Sequence, residues 1–522
     1  MRDKMEIKII ETSDMHGYVL PTNYAERNLD LGFSTAKAAT IIKKIKAEAK
    51  GPVVQIENGD FIQGSPLSYY VRKQGHHIAN DLTKVLNYLE YDLGILGNHE
   101  FNYGLDYLRE AINSYNHPII CANILSKTGE QVFGDPYRII EKEGVKIAVL
   151  GLTTPYIPKW EQPATVKDLT FISALETAQK YVPEMREKAD IVVVTYHGGF
   201  ESDLETGEPT ELLTGENEGY AIATKVPGID ALVTGHQHRV IATKVNGVPV
   251  IQPGYRGAYV GEISLKVEKE GDRYVVVNSQ AKLHETAGVK ADPKVLEMFE
   301  ELQADVENWL DTPVGTVVGD MTITDPQQAR LVEHPYIEFI NKVQMEATGA
   351  DISGTALFNN EGRGFGSKIA MRDVITNYIY PNTLAVLKIS GEDLRLALER
   401  VATYFIVKDG EVQFNPKYIE PKPQYYNYDM YEGIEYTLDF TKPFGERVTR
   451  LDYHGAPVQD TDELEVVTNQ YRAVGGGNYA MFKPEKIVRE VQIDMTELIA
   501  DYLKKHPVLE ATTNQNFKTI IK

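Results

Sequence analysis

The chain has 522 residues, 42% hydrophobic and 25% charged, a balance that excludes a disordered or fibrous protein and leaves length for two or three cores. Its formal net charge of −21 excludes a surface built to hold a nucleic-acid polymer or an anionic membrane. The single cysteine excludes an intrachain disulfide, and no run of about 18 apolar residues could span a bilayer. The N-terminal MRDKMEIKIIETSD lacks the apolar centre of a signal peptide. A cytoplasmic protein is expected, or an exported one whose signal has been trimmed.

Strands are expected at 7–14, 52–60, 91–98, 146–154, 190–197 and 230–236. Each is short, apolar and closed by polar residues. Amphipathic stretches at 34–50 and 173–189 read as helices between them. Strand–helix alternation predicts an α/β fold with a parallel or mixed sheet. Cys121 lies in the apolar run IICANI and reads as a small buried hydrophobe rather than a nucleophile. Residues 200–220 carry seven carboxylates and no Lys or Arg, the pattern of a solvated loop.

Asp292-Pro293 is a helix start signal, and one long helix is expected to follow it to about residue 311. A new set of motifs begins beyond it. The expected organisation is therefore a first domain at 1–288, a linker helix at 289–311 and a second domain at 312–522. The second domain should hold helices at 326–348 and 391–406 and several strands between 430 and 470. Its Gly-rich patches EGRGFG and AVGGGNY suit close approach of backbone to a ligand.

Five polar clusters follow predicted strands: Asp14-Met15-His16, Gly59-Asp60, Gly97-Asn98-His99-Glu100, His197-Gly198-Gly199 and Gly235-His236-Gln237-His238. Ligands of open α/β sheets collect beyond the carboxyl ends of strands, which gathers these distant clusters into one site. Period-two spacing in Asp-x-His and His-x-His places both side chains on one side of an extended segment. Of the 12 histidines, His16, His99, His197, His236 and His238 fall in these clusters, too many for chance placement. Imidazole, carboxylate and amide oxygen together suit Zn, Mn, Fe, Co or Ni better than Ca or Cu(I).

The order D-x-H, G-D, G-N-H-E, H, G-H-x-H resembles the calcineurin-like metallophosphoesterases. Residues 5–490 as a whole resemble the 5′-nucleotidase/2′,3′-cyclic-nucleotide phosphodiesterase family. The resemblance implies an N-terminal four-layer α/β/β/α metallophosphoesterase domain and a C-terminal α/β 5′-nucleotidase-type substrate domain, joined by a linker helix. It implies two divalent metal ions. Asp14, His16 and His238 would hold one, Asn98, His197 and His236 the other, with Asp60 as the bridge. His99 would contact phosphate and assist the leaving group. In 5′-nucleotidases this His is paired with an Asp three residues on; here that residue is Asn102. The block GNHEFNYGLDYL, with residues 215–238 and 426–436, resembles instead the 2′,3′-cyclic-nucleotide 2′-phosphodiesterase/3′-nucleotidase branch.

The same resemblance implies substrate recognition by the second domain. Arg363, within FNNEGRGFG, is the phosphate-binding candidate, with Asn359 and Asn360 beside it. The family holds a base between two aromatic rings. Tyr479, after Gly475-Gly476-Gly477-Asn478, is the choice for one; Tyr426, or Tyr428 on the same face of a strand, is the choice for the other. Rotation about the helix near 292–311 would then accompany turnover. The expected partners are nucleotides and phosphate, acted on by a monomer. A non-catalytic nucleotide sensor on this fold would have lost ligands, and all seven are present.

Overall fold

The apolar runs of the first half fold as two facing sheets, because their alternate residues are buried on opposite sides. In the computed structural model, which describes residues 4–73, 77–211, 213–380, 382–491 and 493–522, the early strands are β1 (Lys4–Thr12), β2 (Val53–Glu57) and β3 (Leu93–Gly94). Next come β4 (Ile124–Ser126), β5 (Tyr137–Lys142), β6 (Val145–Thr153), β7 (Leu169–Phe171) and β8 (Ile191–His197). The last are β9 (Ala231–Thr234), β10 (Val240–Val245), β11 (Val248–Pro253), β12 (Tyr259–Glu270) and β13 (Arg273–Glu285).

One sheet has the order β13-β12-β1-β2-β3 and the other β10-β11-β9-β8-β6-β5. The inner strands β1-β2-β3 and β6-β8-β9-β11 are parallel, and the hairpin strands at the edges are antiparallel. Ile7, Ile9, Val54 and Ile56 meet Ile147, Val149, Ile191 and Val193 in the core between the sheets. The intervening Val192, Val194, Ala148 and Leu150 face outward, against Ala174, Ala178 and Val182 of the helix Ala174–Lys188. The helix Thr35–Glu48 covers the first sheet at β12. Helix, sheet, sheet and helix thus form four layers, and β8 is buried along its whole length because both its faces are covered. Cys121 is buried in an apolar cluster with Leu96 and Phe101, and burial pushes its thiol up to about 12.

The chain divides into compact units at Met1–Val306 and Glu307–Lys522, within the helix Pro293–Leu310. That helix starts where Asp292 accepts from the backbone N–H groups of Lys294 and Val295.

The second unit has a five-stranded sheet. Its order is Asp429–Glu432, Ile352–Ala356, Glu463–Asn469, Leu384–Ser390, Ile487–Val491. The helix expected over 326–348 is two helices, Gln328–Leu331 and Pro335–Thr348. Pro335 has no N–H to give and disfavours helical backbone at His334, whose side chain instead caps the new helix through Tyr336 N. The helix expected to reach 406 stops at Ala402. Phe405–Lys408 then pairs with Glu411–Phe414 across Asp409-Gly410, both at positive φ, the signature of a tight hairpin turn.

Candidate metal centre

β1, β2, β8 and β9 end at one edge of the sheets, so the residues just past them meet. The geometry of the meeting differs from the sequence expectation. Asp14 and His16 are not on extended backbone but in a turn, both at positive φ, and so are Asp60, His236 and His238. Five of the seven expected ligands therefore occupy the left-handed region, a sparsely populated conformation that concentrates at functional sites. The turns are crowded. A Cβ on Gly97 would stand 2.2 Å from Asp60 Oδ1, so the close approach admits no side chain.

Two groups of donors result: Asp14, His16 and His238, and Asp60, His197 and His236, each with ligand atoms within 4.8 Å of one another. His16 Nε2 is 3.1 Å from His238 Nε2, and His238 Nε2 is 3.4 Å from Asp14 Oδ1. Asn98 Oδ1 lies 2.8 Å from His236 Nδ1. Asp60 Oδ2 is 3.1 Å from His197 Nε2 and 4.0 Å from His16 Nε2, so one carboxylate faces both groups. Bond lengths of about 2.1 Å place neighbouring ligand atoms about 3.0–3.4 Å apart, close to these separations.

The proton positions test the fit to a cation. His16 Nδ1 is 3.0 Å from the Gln63 carbonyl and His197 Nδ1 is 2.6 Å from the Asn58 carbonyl, so each Nδ1 carries a hydrogen. Each Nε2 is left to face another acceptor. His197 Nε2 and Asp60 Oδ2 are buried without a hydrogen bond of good geometry. A positive charge there, a proton on His197 or a metal ion in its place, satisfies both atoms. Burial pushes His16 down to about 4, against the pull of Asp60. Burial also opposes charge on His197, but Asp60 and Asp14 outweigh it and lift it to about 10. The donor set fits divalent metal.

His99 lies beside this centre, its ring edge-on to His16 with centroids 5.1 Å apart. Its backbone N–H donates to Asp60 Oδ1 at 2.7 Å, and its Nδ1 is 2.6 Å from Asn102 Oδ1.

In the second unit the expected tyrosines separate by burial. Tyr479 is fully buried between the Arg472 guanidinium, 3.9 Å from the ring centroid, and Phe482, and its hydroxyl donates to the Asn427 carbonyl. Tyr428 is buried against Phe405. Neither ring has a free face for a base, which corrects both expectations. The strand argument for Tyr428 fails because Tyr425–Asn427 is a 3₁₀ turn. Tyr426 is half-buried and meets the half-buried Tyr471 edge to face at 6.4 Å. Sequence gave no means of ranking Tyr471 above Tyr479, since burial decides it. Arg363 is exposed, while Asn359 Oδ1 closes a turn by accepting from Glu361 and Gly362. Asn360 accepts from the fully buried Arg330, which also holds the Leu357 and Asn359 carbonyls.

Residues 7–240 match the family model of calcineurin-like phosphoesterases, and residues 313–484 match that of the 5′-nucleotidase C-terminal domain. The chain is 30% identical to the Haemophilus influenzae 2′,3′-cyclic-nucleotide 2′-phosphodiesterase/3′-nucleotidase, over 99% of this chain and 87% of that one. It belongs to this family of nucleotide phosphoesterases. It is also 27% identical to the trifunctional nucleotide phosphoesterase YfkN of Bacillus subtilis, over 98% of this chain; it spans only 39% of that longer protein. A Staphylococcus aureus crystal structure, named a putative 5′-nucleotidase and solved with alpha-ketoglutarate, superposes with a TM-score of 0.92 at 39% identity, covering 99% of this chain and all of that one.

Two further features of this phosphoesterase escaped the sequence reading. Glu100, 3% exposed, accepts from the backbone N–H groups of Asp60, Phe61, Ile62 and Gly97. One carboxylate thus ties together the two turns that carry Asp60 and Asn98. Glu100→Gln would turn an amide N–H toward these donors. It should lower the stability of the metal-free protein by about 2 kcal/mol, read by thermal unfolding. An unchanged midpoint would rule out the clamp.

The acidic stretch at 200–220 is not simply a solvated loop. Glu201 accepts from Tyr220 N and Ala221 N at the start of the helix Gly219–Lys225. Glu218 accepts from Ser173 Oγ, Ala174 N and Leu175 N at the start of the helix Ala174–Lys188. Helix N-termini need such acceptors and favour negative charge. Glu216 stands 3.0 Å from His236 Nε2, where it orients that ring.

Proposed function

We propose that the protein hydrolyses 2′,3′-cyclic nucleotides to 3′-nucleotides and then removes the 3′-phosphate. The observation that carries this reading is the partner of His99, the amide Asn102 in place of the carboxylate of 5′-nucleotidases. The Haemophilus influenzae relative, whose name states both activities, supports it.

Asp14, His16 and His238 would hold one divalent ion, and Asn98, His197 and His236 a second, with Asp60 between them. Mn, Zn, Fe, Co and Ni all suit the donor set. Such a pair, when bound, draws charge from the phosphate oxygens and lowers the pKa of an attacking water. The chain's own groups complete the chemistry. In its imidazolium form His99 carries one hydrogen on Nδ1, toward Asn102 Oδ1, and a second on Nε2; it gives the second to the ribose oxygen as the P–O bond breaks and is left as the neutral Nδ1–H ring. Arg363 takes phosphate oxygens. The base stacks on Tyr426 and Tyr471, a contact that tolerates any base. Substrates are small nucleotides rather than polymers.

Steady-state rates for 2′,3′-cyclic AMP, 3′-AMP and 5′-AMP, measured side by side with Mn, test the reading. The first two should exceed the third in kcat/KM by at least about tenfold. A preference for 5′-AMP would favour a second reading, a 5′-nucleotidase or UDP-sugar hydrolase. The match of residues 313–484 to the 5′-nucleotidase C-terminal domain gives that reading its support.

A further inference from the structure

Asn102 poses an orientation problem that a carboxylate would not. An amide presents an acceptor at one end and a donor at the other. If it turned its Nδ2 to His99, the imidazole would be forced into the opposite tautomer. The proton would then lie on Nε2, and Nδ1 would become the acceptor. Backbone geometry around Asn102 does not choose between the two.

Glu161 makes the choice. Its Oε1 accepts from Asn102 Nδ2, and the residue is only 7% exposed, so water is a poor competitor. With Nδ2 committed to Glu161, Oδ1 must face His99 Nδ1, as the 2.6 Å contact requires. Burial raises Glu161 to about 7, opposed by the hydrogen bond from Asn102. The ionised carboxylate has acceptors alone and so fixes the orientation outright, and the neutral acid still offers the amide a carbonyl acceptor. The neighbouring Trp160 stacks on His236 with centroids 5.3 Å apart, so this short segment braces the site at two points.

We propose that Glu161 is a positioning residue, acting through Asn102 to fix the ring and tautomer of His99. Its side chain meets Asn102, and through it His99. The inference rests on the role of His99 as proton donor in the function proposed above.

The test exploits leaving groups. A ribose alkoxide needs a proton as it departs, whereas p-nitrophenolate does not. In the metal-loaded full chain, Glu161→Ala should lower kcat for 3′-AMP by about 10- to 100-fold, a part of what general acid catalysis supplies. For p-nitrophenyl phosphate the loss should stay below about threefold, with KM and metal content unchanged. Glu161→Gln, which keeps an acceptor, should stay within about threefold of wild type on both substrates. Equal losses on both substrates would overturn the proposal, as would a Glu161→Gln variant no better than Glu161→Ala.

A second comparison covers failure of Glu161→Ala to fold. Asn102→Asp alone sets two carboxylates against each other once Glu161 has ionised, so at alkaline pH it should cost more than about tenfold on 3′-AMP. Adding Glu161→Gln should restore activity to within about threefold, because the new pair is again complementary. No rescue would count against the assignment. If wild type prefers 5′-AMP, the proposed substrate fails. The contrast between a nucleotide and p-nitrophenyl phosphate still decides the role of Glu161.

Discussion

Asp60→Ala removes hydrolysis of nucleotides, lowering kcat/KM by at least about 10³-fold, equivalent to about 4 kcal/mol of transition-state stabilisation. Asp60 is 1% exposed, and its Oδ2 faces both His197 and His16 while its Oδ1 accepts from His99 N. The turn it sits on is packed against Gly97, which fixes the carboxylate in that place. Truncation leaves Asp14, whose Oδ1 is 3.9 Å from His197 Nε2 and 4.0 Å from His16 Nε2, as the one nearby carboxylate among the seven expected ligands, and divalent ions bind less tightly. Elemental analysis of the variant should find fewer than two ions per chain after dialysis, where wild type keeps two. A variant that held both ions and kept a tenth of the activity would refute the bridging position. Metal capture should also depend on pH. His197, lifted to about 10 by Asp60 and Asp14, holds a proton in the metal-free protein and must release it to become a ligand. Affinity should therefore rise about tenfold per pH unit below that value, with one proton released per ion captured at that group.

How much of this was legible in the sequence depends on the kind of interaction. The alternation of short apolar runs with amphipathic helices announced an α/β fold, since burial of both sheet faces leaves continuous runs such as IVVVTYH; the four layers were implied by the family resemblance alone. The metal donors were legible as well, because few chains of this size put so many His and Asp after strands. The reason offered for their convergence was wrong in detail. Strand alternation did not bring Asp14 beside His16; left-handed turns did, and no local pattern predicts positive φ at Asp or His. Helix ends were misjudged where one proline or one Asp-Gly turn decided the matter. The tyrosines were the least legible. Tyr426, Tyr428, Tyr471 and Tyr479 are alike in sequence, and only the packing of Arg472 and Phe405 shows which rings are covered. The roles of Glu100, Glu161 and Glu218 were hidden for a different reason. Each is a carboxylate whose partner is a backbone N–H or an amide, and such pairings leave no charge pattern to read.

His99→Ala should lower kcat for 3′-AMP by about 10²- to 10⁴-fold while both metal ions stay bound. The backbone N–H of residue 99 donates to Asp60 Oδ1 whatever the side chain, so truncation leaves that support of the centre in place. The ring itself belongs to neither donor group. Its contacts are Asn102 and the edge of His16, and losing the second costs little because His16 remains held by the Gln63 carbonyl. The loss must then fall on the departing oxygen. Bis-p-nitrophenyl phosphate, whose leaving group is stable as an anion, should slow by less than about tenfold in the same variant. A drop of equal size on both substrates would point to lost phosphate binding rather than lost proton delivery. A variant stripped of a metal ion would place His99 among the ligands, and the division of labour between Asn98 and its neighbour would have to be redrawn.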